Sequence, residues 1–253
     1  MALSNELIYR ANFMFGRIRE IIVFGAILYL FSSLPTGAGN YDQPHLLTYA
    51  LAAAFISGLT FVQGMESIAN EIADGDLVNY LLRPINYLWF WVFRLSASKF
   101  MLAVAGIIQV SILFIVFRDR SFFIQHRISN LALAIVMILG ALAIIQSLDL
   151  IAGSLSFWTH RGHGARWMIA IFTSFLSGSY YPIDLFPHWI QQILLFTPFP
   201  SLVYYPVKVY LGDISGMFIV RTLAIQWGWV LVLWFILMIL WRAGIKSYEA
   251  YGR

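Results

Sequence analysis

A chain of 253 residues that is 60% hydrophobic and 11% charged, with a mean hydropathy of +0.78, has too little polar surface to coat a soluble domain of its length and reads as an integral membrane protein. The absence of cysteine excludes disulfides, thiolate metal sites and cysteine nucleophiles. The formal charge of +4 is spread over separate segments, without the clustered basic stripe that nucleic acid requires.

At the N-terminal end, Leu7, Ile8, Ala11, Met14, Phe15 and Ile18 recur as one helical face, with Glu6, Arg10, Arg17 and Arg19 set elsewhere. This predicts an amphipathic interfacial helix over 1–18, the alternative being an extension of the first span. Apolar runs of crossing length follow at Ile18–Leu34, Leu46–Met65, Phe100–Phe117, Leu131–Ser156, Met168–Tyr180 and Ile219–Trp241, about six spans. The first and fifth are short, and the fifth runs into Ser177-Gly178-Ser179-Tyr180-Tyr181-Pro182, so it does not read as one simple helix. Alternating strand patterns are missing, which points away from a membrane β-barrel. The expected class is an all-α membrane protein, one transmembrane domain over 1–253. No cleavable signal peptide is expected, because the first apolar run starts late and lacks a small-x-small site.

The second run is rich in small residues, with Ala54 and Gly58 at small-xxx-small spacing, which predicts close helix contact. After it, residues 66–86 read ESIANEIADGDLVNYLLRPIN, a polar, acidic, helix-periodic segment between apolar runs. Met65, Ile68, Ala69, Ile72 and Ala73 share one stripe, while Glu66, Asn70 and Asp74 share another, so a short helix would lie flat with its acidic face outward. Gly75 should end it, Asp76 should cap a second helix over Leu77–Leu82, and Pro84 should stop that one. Glu66, Glu71, Asp74 and Asp76 include no histidine and differ in helical phase. They read as a solvated or partner-facing acidic surface rather than a metal site.

Basic residues set the orientation. With a cytoplasmic N-terminus, Arg10, Arg17, Arg19, Arg83, Arg94, Lys99, Arg161, Arg166, Arg242, Lys246 and Arg253 lie inside, and Arg118, Arg120, Arg127, Lys208 and Arg221 lie outside. The bias favours both termini inside, although Arg118-Asp119-Arg120 runs against it. Arg94 and Lys99 are expected to snorkel ahead of the third span, and His160 and His163 to lie in a solvated turn rather than a zinc site. Asp149 is the carboxylate at membrane depth. It reads either as a proton or cation site or as a structural acceptor paired with Ser147, Ser154 or a basic residue on another span. Beyond the fifth run, five prolines from Pro182 to Pro206 break an aromatic stretch. It reads as short helices that dip into the outer leaflet and return, with Pro187 in the first turn of one. The alternative is an interfacial loop anchored by Tyr180, Tyr181, Trp189, Tyr204 and Tyr205.

The runs DGDLVNYLLRPIN, AGSLSFWTHR and SYYPIDLFPHWIQQILLFTPFPSLVYYPVKVYLGD, in that order, resemble the permease subunits of ABC-2-type transporters. The likeness is to the branch with Gly-x-Leu-x-x-x-Leu-Leu-Arg-Pro after the second span; here Asp76 stands between Gly75 and Leu77. The resemblance implies a type V exporter-like fold of six spans and a permease dimer, made of two copies or of this chain with a paralogue, in a bacterial cytoplasmic membrane. It also implies a coupling helix that docks on a nucleotide-binding subunit, which makes Glu66, Asn70, Glu71, Asp74, Asp76 and Arg83 the coupling candidates. Residues 181–218 become an external lid. The substrate path falls between the second and fifth spans of two subunits, with Phe55, Leu59, Phe172, Phe175 and Leu176 as its expected lining. That apolar, aromatic lining suits a hydrophobic or amphipathic substrate. No phosphate-binding Gly-x-x-x-x-Gly-Lys-Ser/Thr loop occurs in the sequence. ATP and magnesium are therefore expected on the partner subunit, and no cofactor, metal or catalytic residue in this chain. The readings from other classes are a proton-coupled carrier using Asp149 and a non-transporting membrane scaffold.

Overall fold

The computed structural model describes residues 43–60, 65–116, 122–159 and 163–248, with isolated positions at 22, 25, 26 and 29. The expected interfacial helix over 1–18 lies outside the described residues, as does almost all of the first span. The helices are α1 (Gln43–Thr60), α2 (Met65–Ala73), α3 (Leu77–Leu81), α4 (Tyr87–Val116), α5 (Ile128–Ser154), α6 (His163–Leu176), α7 (His188–Leu194), α8 (Tyr204–Leu211) and α9 (Met217–Ser247). Short 3₁₀ turns fall at Leu155–Phe157, Ile183–Leu185 and Phe199–Ser201, and no strand occurs among the described residues.

Three stretches are long and apolar enough to cross a membrane: Tyr87–Ile112, Ile128–Phe157 and Met217–Ser247. They correspond to the third, fourth and sixth expected runs. Among the described residues the second and fifth are represented by α1, of 18 residues, and α6, of 14, which carry shorter apolar stretches, Pro44–Thr60 and Trp167–Leu176. The helix of the third expected run, α4, begins at Tyr87 rather than Phe100. Its added turns carry Tyr87, Leu88, Trp91 and Leu95, all buried, so aromatic packing extends the helix well ahead of the purely aliphatic run.

The helix α5 is the axis of the packing, touching α9, α8, α2 and α1. Toward one end, its residues Ala134, Met137, Ala141 and Ile144 share a core with α1 and the buried α8. Toward the other, Leu150 joins Ile68, Ile72, Leu77, Tyr87, Trp91, Leu237 and Trp241. Glycines set the closest approaches. A Cβ on Gly140 would sit 2.7 Å from Gln226 Cδ, and one on Gly244 would sit 2.1 Å from Phe157 Cδ2.

Gln226 uses that space. Its Nε2 donates to the carbonyl oxygens of Met137, at 2.8 Å, and Ser201, at 2.9 Å, tying α9 to α5 and to the broken segment. Gln226→Leu removes the donor from a buried site, and a buried acceptor left without its partner costs about 1–3 kcal/mol. The expected result is a drop of several degrees in the melting temperature of the detergent-purified protein, since each kcal/mol moves a chain of this size by roughly 2–4 °C. An unchanged melt would show that the two bonds contribute nothing net.

Candidate functional site

The segment after α1 is two-faced. Ile68, Ala69 and Ile72 of α2 are buried, whereas Asn70 and Asp74 are exposed, as the periodicity predicts; Ala73, assigned to the inner stripe, is exposed. Ile68, at 0% exposure, sits where a Cβ on Gly153 of α5 would be, 2.6 Å from its Cγ2. Gly75 ends the helix with φ +84°, a left-handed conformation that glycine adopts without steric cost. Asp76 stands just before α3 but has helical φ −67°, ψ −17° and makes no side-chain cap; a capping side chain works from an extended backbone. The capping role expected of Asp76 is therefore absent. The helix α3 stops at Leu81, one residue earlier than expected, and Leu81, Leu82, Arg83, Pro84 and Ile85 are all exposed, Leu82 to 80%. The side chain of Glu66 lies outside the described residues.

Glu71 departs from the solvated acidic face assigned to it. Its Oε2 accepts hydrogen bonds from the Tyr87 hydroxyl at 2.7 Å and from Trp91 Nε1 at 3.2 Å, and its Oε1 accepts one from the Tyr80 hydroxyl at 3.4 Å. The Arg94 guanidinium lies 3.7 Å from the same carboxylate and 4.6 Å from the Trp91 ring centre. Tyr87 in turn stacks on Trp241 of α9, with centroids 5.0 Å apart and planes at 8°. One carboxylate thus joins α2, α3 and α4, and through Tyr87 reaches α9. Tyr87 and Trp91 are one helical turn apart on one face, the signal in the sequence that could have found this cluster.

The five path candidates do not converge within the chain. Leu59 is buried, Leu176 is half-buried, and Phe172 and Phe175 lie exposed on α6, against Phe199 and Tyr180 respectively. Phe55 alone of the five lines a cavity of about 640 Å³ between α1, α4, α5 and α8.

A family model described as ABC-2 family transporter protein matches residues 12–252. The chain belongs to the ABC-2 transporter family. No curated protein and no solved structure matches it. As a member, it is a multi-pass permease component of an ABC transporter, a membrane subunit without its own ATPase, from a family whose permeases dimerise and work with an ATP-binding subunit.

Within this ABC-2 permease, Asp149 and Lys99 are exposed by only 0% and 1% and lie close enough for the carboxylate to act on the ammonium. Lys99 therefore does not snorkel. Ser147 and Ser154 donate instead to carbonyls of their own helix, at 2.8 and 2.7 Å, which leaves the basic residue of another helix as the neighbour that matters. One turn away, Gln146 Nε2 donates to Ser96 Oγ at 3.1 Å, so α4 and α5 meet along a polar seam.

A second charged knot ties the broken segment of the ABC-2 chain. Lys208 Nζ lies 2.9 Å from Asp184 Oδ2 and 2.8 Å from Asp213 Oδ2, and the Tyr204 hydroxyl donates to Asp184. Pro187 precedes α7 directly, at its N-cap. Tyr180, Tyr181 and Trp189 are exposed, but Tyr204 and Tyr205 are buried and are core residues rather than interfacial anchors. Burial pushes the Tyr205 phenol up to about 12, with Arg221 opposing the rise and Asp184 adding to it. A phenol held neutral by the fold contributes fully below its ordinary value of 10.0, and that contribution is lost as pH rises from there through about 12. Melting temperature should accordingly fall between those pH values, and Tyr205→Phe should flatten the fall. An identical alkaline slope in the variant would exclude Tyr205 as the group responsible.

Proposed function

We propose that this permease is half of the membrane part of an ATP-driven exporter in the bacterial cytoplasmic membrane, with residues 66–86 as its coupling segment. Each subunit has six spans and a leading interfacial helix over 1–18, both termini are cytoplasmic, and residues 181–218 form the external lid. Two permease chains enclose a path for a hydrophobic or amphipathic substrate, lined by Phe55, Leu59, Phe172, Phe175 and Leu176. ATP and magnesium act on the nucleotide-binding partner.

The observation that carries this reading is the two-faced coupling segment. Its inner face is fixed to the bundle by Ile68 and Glu71, while its tip presents Leu81, Leu82 and Ile85 beside Asn70, Asp74, Asp76 and Arg83. An apolar tip rimmed by polar groups suits a protein partner. A push there travels through Ile68 to α5 and through Glu71 to α4 and α9. Asp149 acts as a structural charge in this scheme, because it lies fully buried within the helix packing, as Lys99 does.

The experiment is affinity purification of the tagged chain from native membranes, with vanadate-sensitive ATPase activity measured for wild type, Leu82→Asp and Asp74→Lys. Recovery of a nucleotide-binding subunit, with association or activity reduced by the changes at the tip, supports the reading. A folded chain that purifies alone and without ATPase activity refutes it, and loss of transport in Asp149→Asn with the ATPase intact would shift the mechanism to a proton-coupled one.

A further inference from the structure

The cavity that holds Phe55 is a slot rather than a bowl. Its α4 wall runs from Ile107 to Ile115, about 12 Å of helix, and its α5 wall begins at Leu131 and includes Ala134. Ile107 and Ile115 on one side, and Leu131 and Ile135 on the other, are exposed, so the slot opens sideways between two helices of crossing length. At about 640 Å³ it is within the usual ligand range of roughly 300–1,000 Å³. It is some four times larger than the apolar void of about 150 Å³ that holds benzene.

Of the three hydroxyls in its lining, those of Thr48, Ser111 and Tyr210, the first two are already engaged. Thr48 Oγ1 donates to the Pro44 carbonyl at 2.8 Å and accepts from Phe123 N–H at 2.9 Å, and Ser111 Oγ donates to the Ile107 carbonyl at 2.8 Å. With the Tyr210 hydroxyl alone left to meet it, a hydrogen-bonding ligand would lose most of its partners on binding, whereas hydrocarbon would lose nothing. Four residues before Leu131, which lines the slot, Arg127 stands exposed at the N-cap of α5, a cation able to meet a phosphate.

We propose that this slot binds one acyl chain of an anionic bilayer phospholipid lengthwise, with the headgroup at Arg127. The lipid is a resident of the permease, not its cargo. Lipid tails are as apolar as leucine, so the preference comes from enclosure and packing rather than from escape from water, and it is modest.

The test uses the full chain in nanodiscs, with its ATP-binding partner if one co-purifies, doped with phosphatidylglycerol or phosphatidylcholine bearing a diazirine on one acyl chain. After photolysis, mass spectrometry should find labels on residues 107–115 and 131–138 about threefold above the exposed Leu231 and Phe235 face of α9. Ile107→Trp at the mouth and Val110→Trp inside should each bring labelling down to the α9 level. The two positions keep the test decisive if one variant misfolds, which size-exclusion chromatography reports. Arg127→Gln should lower labelling by the glycerol lipid more than by the choline lipid, whose phosphate is offset by its own quaternary ammonium. Equal labelling of slot and α9, labelling indifferent to both tryptophans, or a slot left unlabelled because protein covers it would overturn the proposal. Loss of label during ATP turnover would mark cargo and overturn the resident assignment.

Discussion

Gly153→Ala is expected to uncouple the permease while leaving it able to insert. The new Cβ would lie 2.6 Å from Ile68 Cγ2 and 2.8 Å from Ile68 Cβ. A rotamer change relieves only the first contact, because Cβ is fixed to the backbone, so α2 itself must retreat from α5. Overpacking of this kind costs about 1–3 kcal/mol, and here it falls on the contact between α2, in the proposed coupling segment, and α5. The ATPase activity of the complex with its nucleotide-binding partner should fall further than the yield of folded protein. Ile68→Ala should be destabilising by itself, by about 2–5 kcal/mol for the void it leaves. The double variant should be less impaired than the two single costs combined, the sign of a direct contact. Strict additivity in melting temperature and ATPase activity would show that the two residues do not bear on each other.

Glu71 carries the second large effect. Glu71→Ala strips the acceptor from the Tyr87 hydroxyl and from Trp91 Nε1, both belonging to buried side chains. Each buried donor left without a partner costs about 1–3 kcal/mol. Glu71→Gln retains one acceptor oxygen and the side-chain volume but loses the charge facing Arg94, 3.7 Å away. The expected order of stability is wild type, then glutamine, then alanine, and Tyr87→Phe should be milder than either, since its stack on Trp241 survives. Thermal unfolding monitored by tryptophan fluorescence reads this order directly. If alanine and glutamine variants both melt with wild type, Glu71 is not a clamp and its carboxylate has no structural role.

How legible this was from the sequence depended on the kind of signal. Long aliphatic runs located α5 and α9 closely, because hydropathy is a sum over many residues and tolerates local exceptions. It misplaced the start of α4, where Tyr87 and Trp91 stand in place of aliphatic residues yet pack as deeply. The two faces of α2 were readable from its period, as was the stop at Gly75. Glu71 was not, because one helical position cannot tell whether donors from α3 and α4 will fold back onto it. Lys99 failed for a similar reason: a lysine near an apolar run reads as snorkelling until the partner from another helix is known. Tyr204, Tyr205 and Lys208 sit in a proline-broken aromatic stretch that also reads as an interfacial loop, and only tertiary contact buries them. The path candidates rested on a path between two subunits, and a single chain does not bring such a lining together.

The charges of Lys99 and Asp149 bear on how the protein is made. Delivering a lysine or an aspartate alone to the centre of a bilayer costs about 2.5–3.5 kcal/mol on insertion scales, and here each charge sits on a helix that reaches the membrane at a different moment of synthesis. The helices α4 and α5 are consecutive spans, so α4 should wait beside the translocon until α5 emerges, and the two should pass into the lipid together as a hairpin. A ribosome stalled after α4 would then hold a segment that slips back, and Lys99→Leu would let it partition at once.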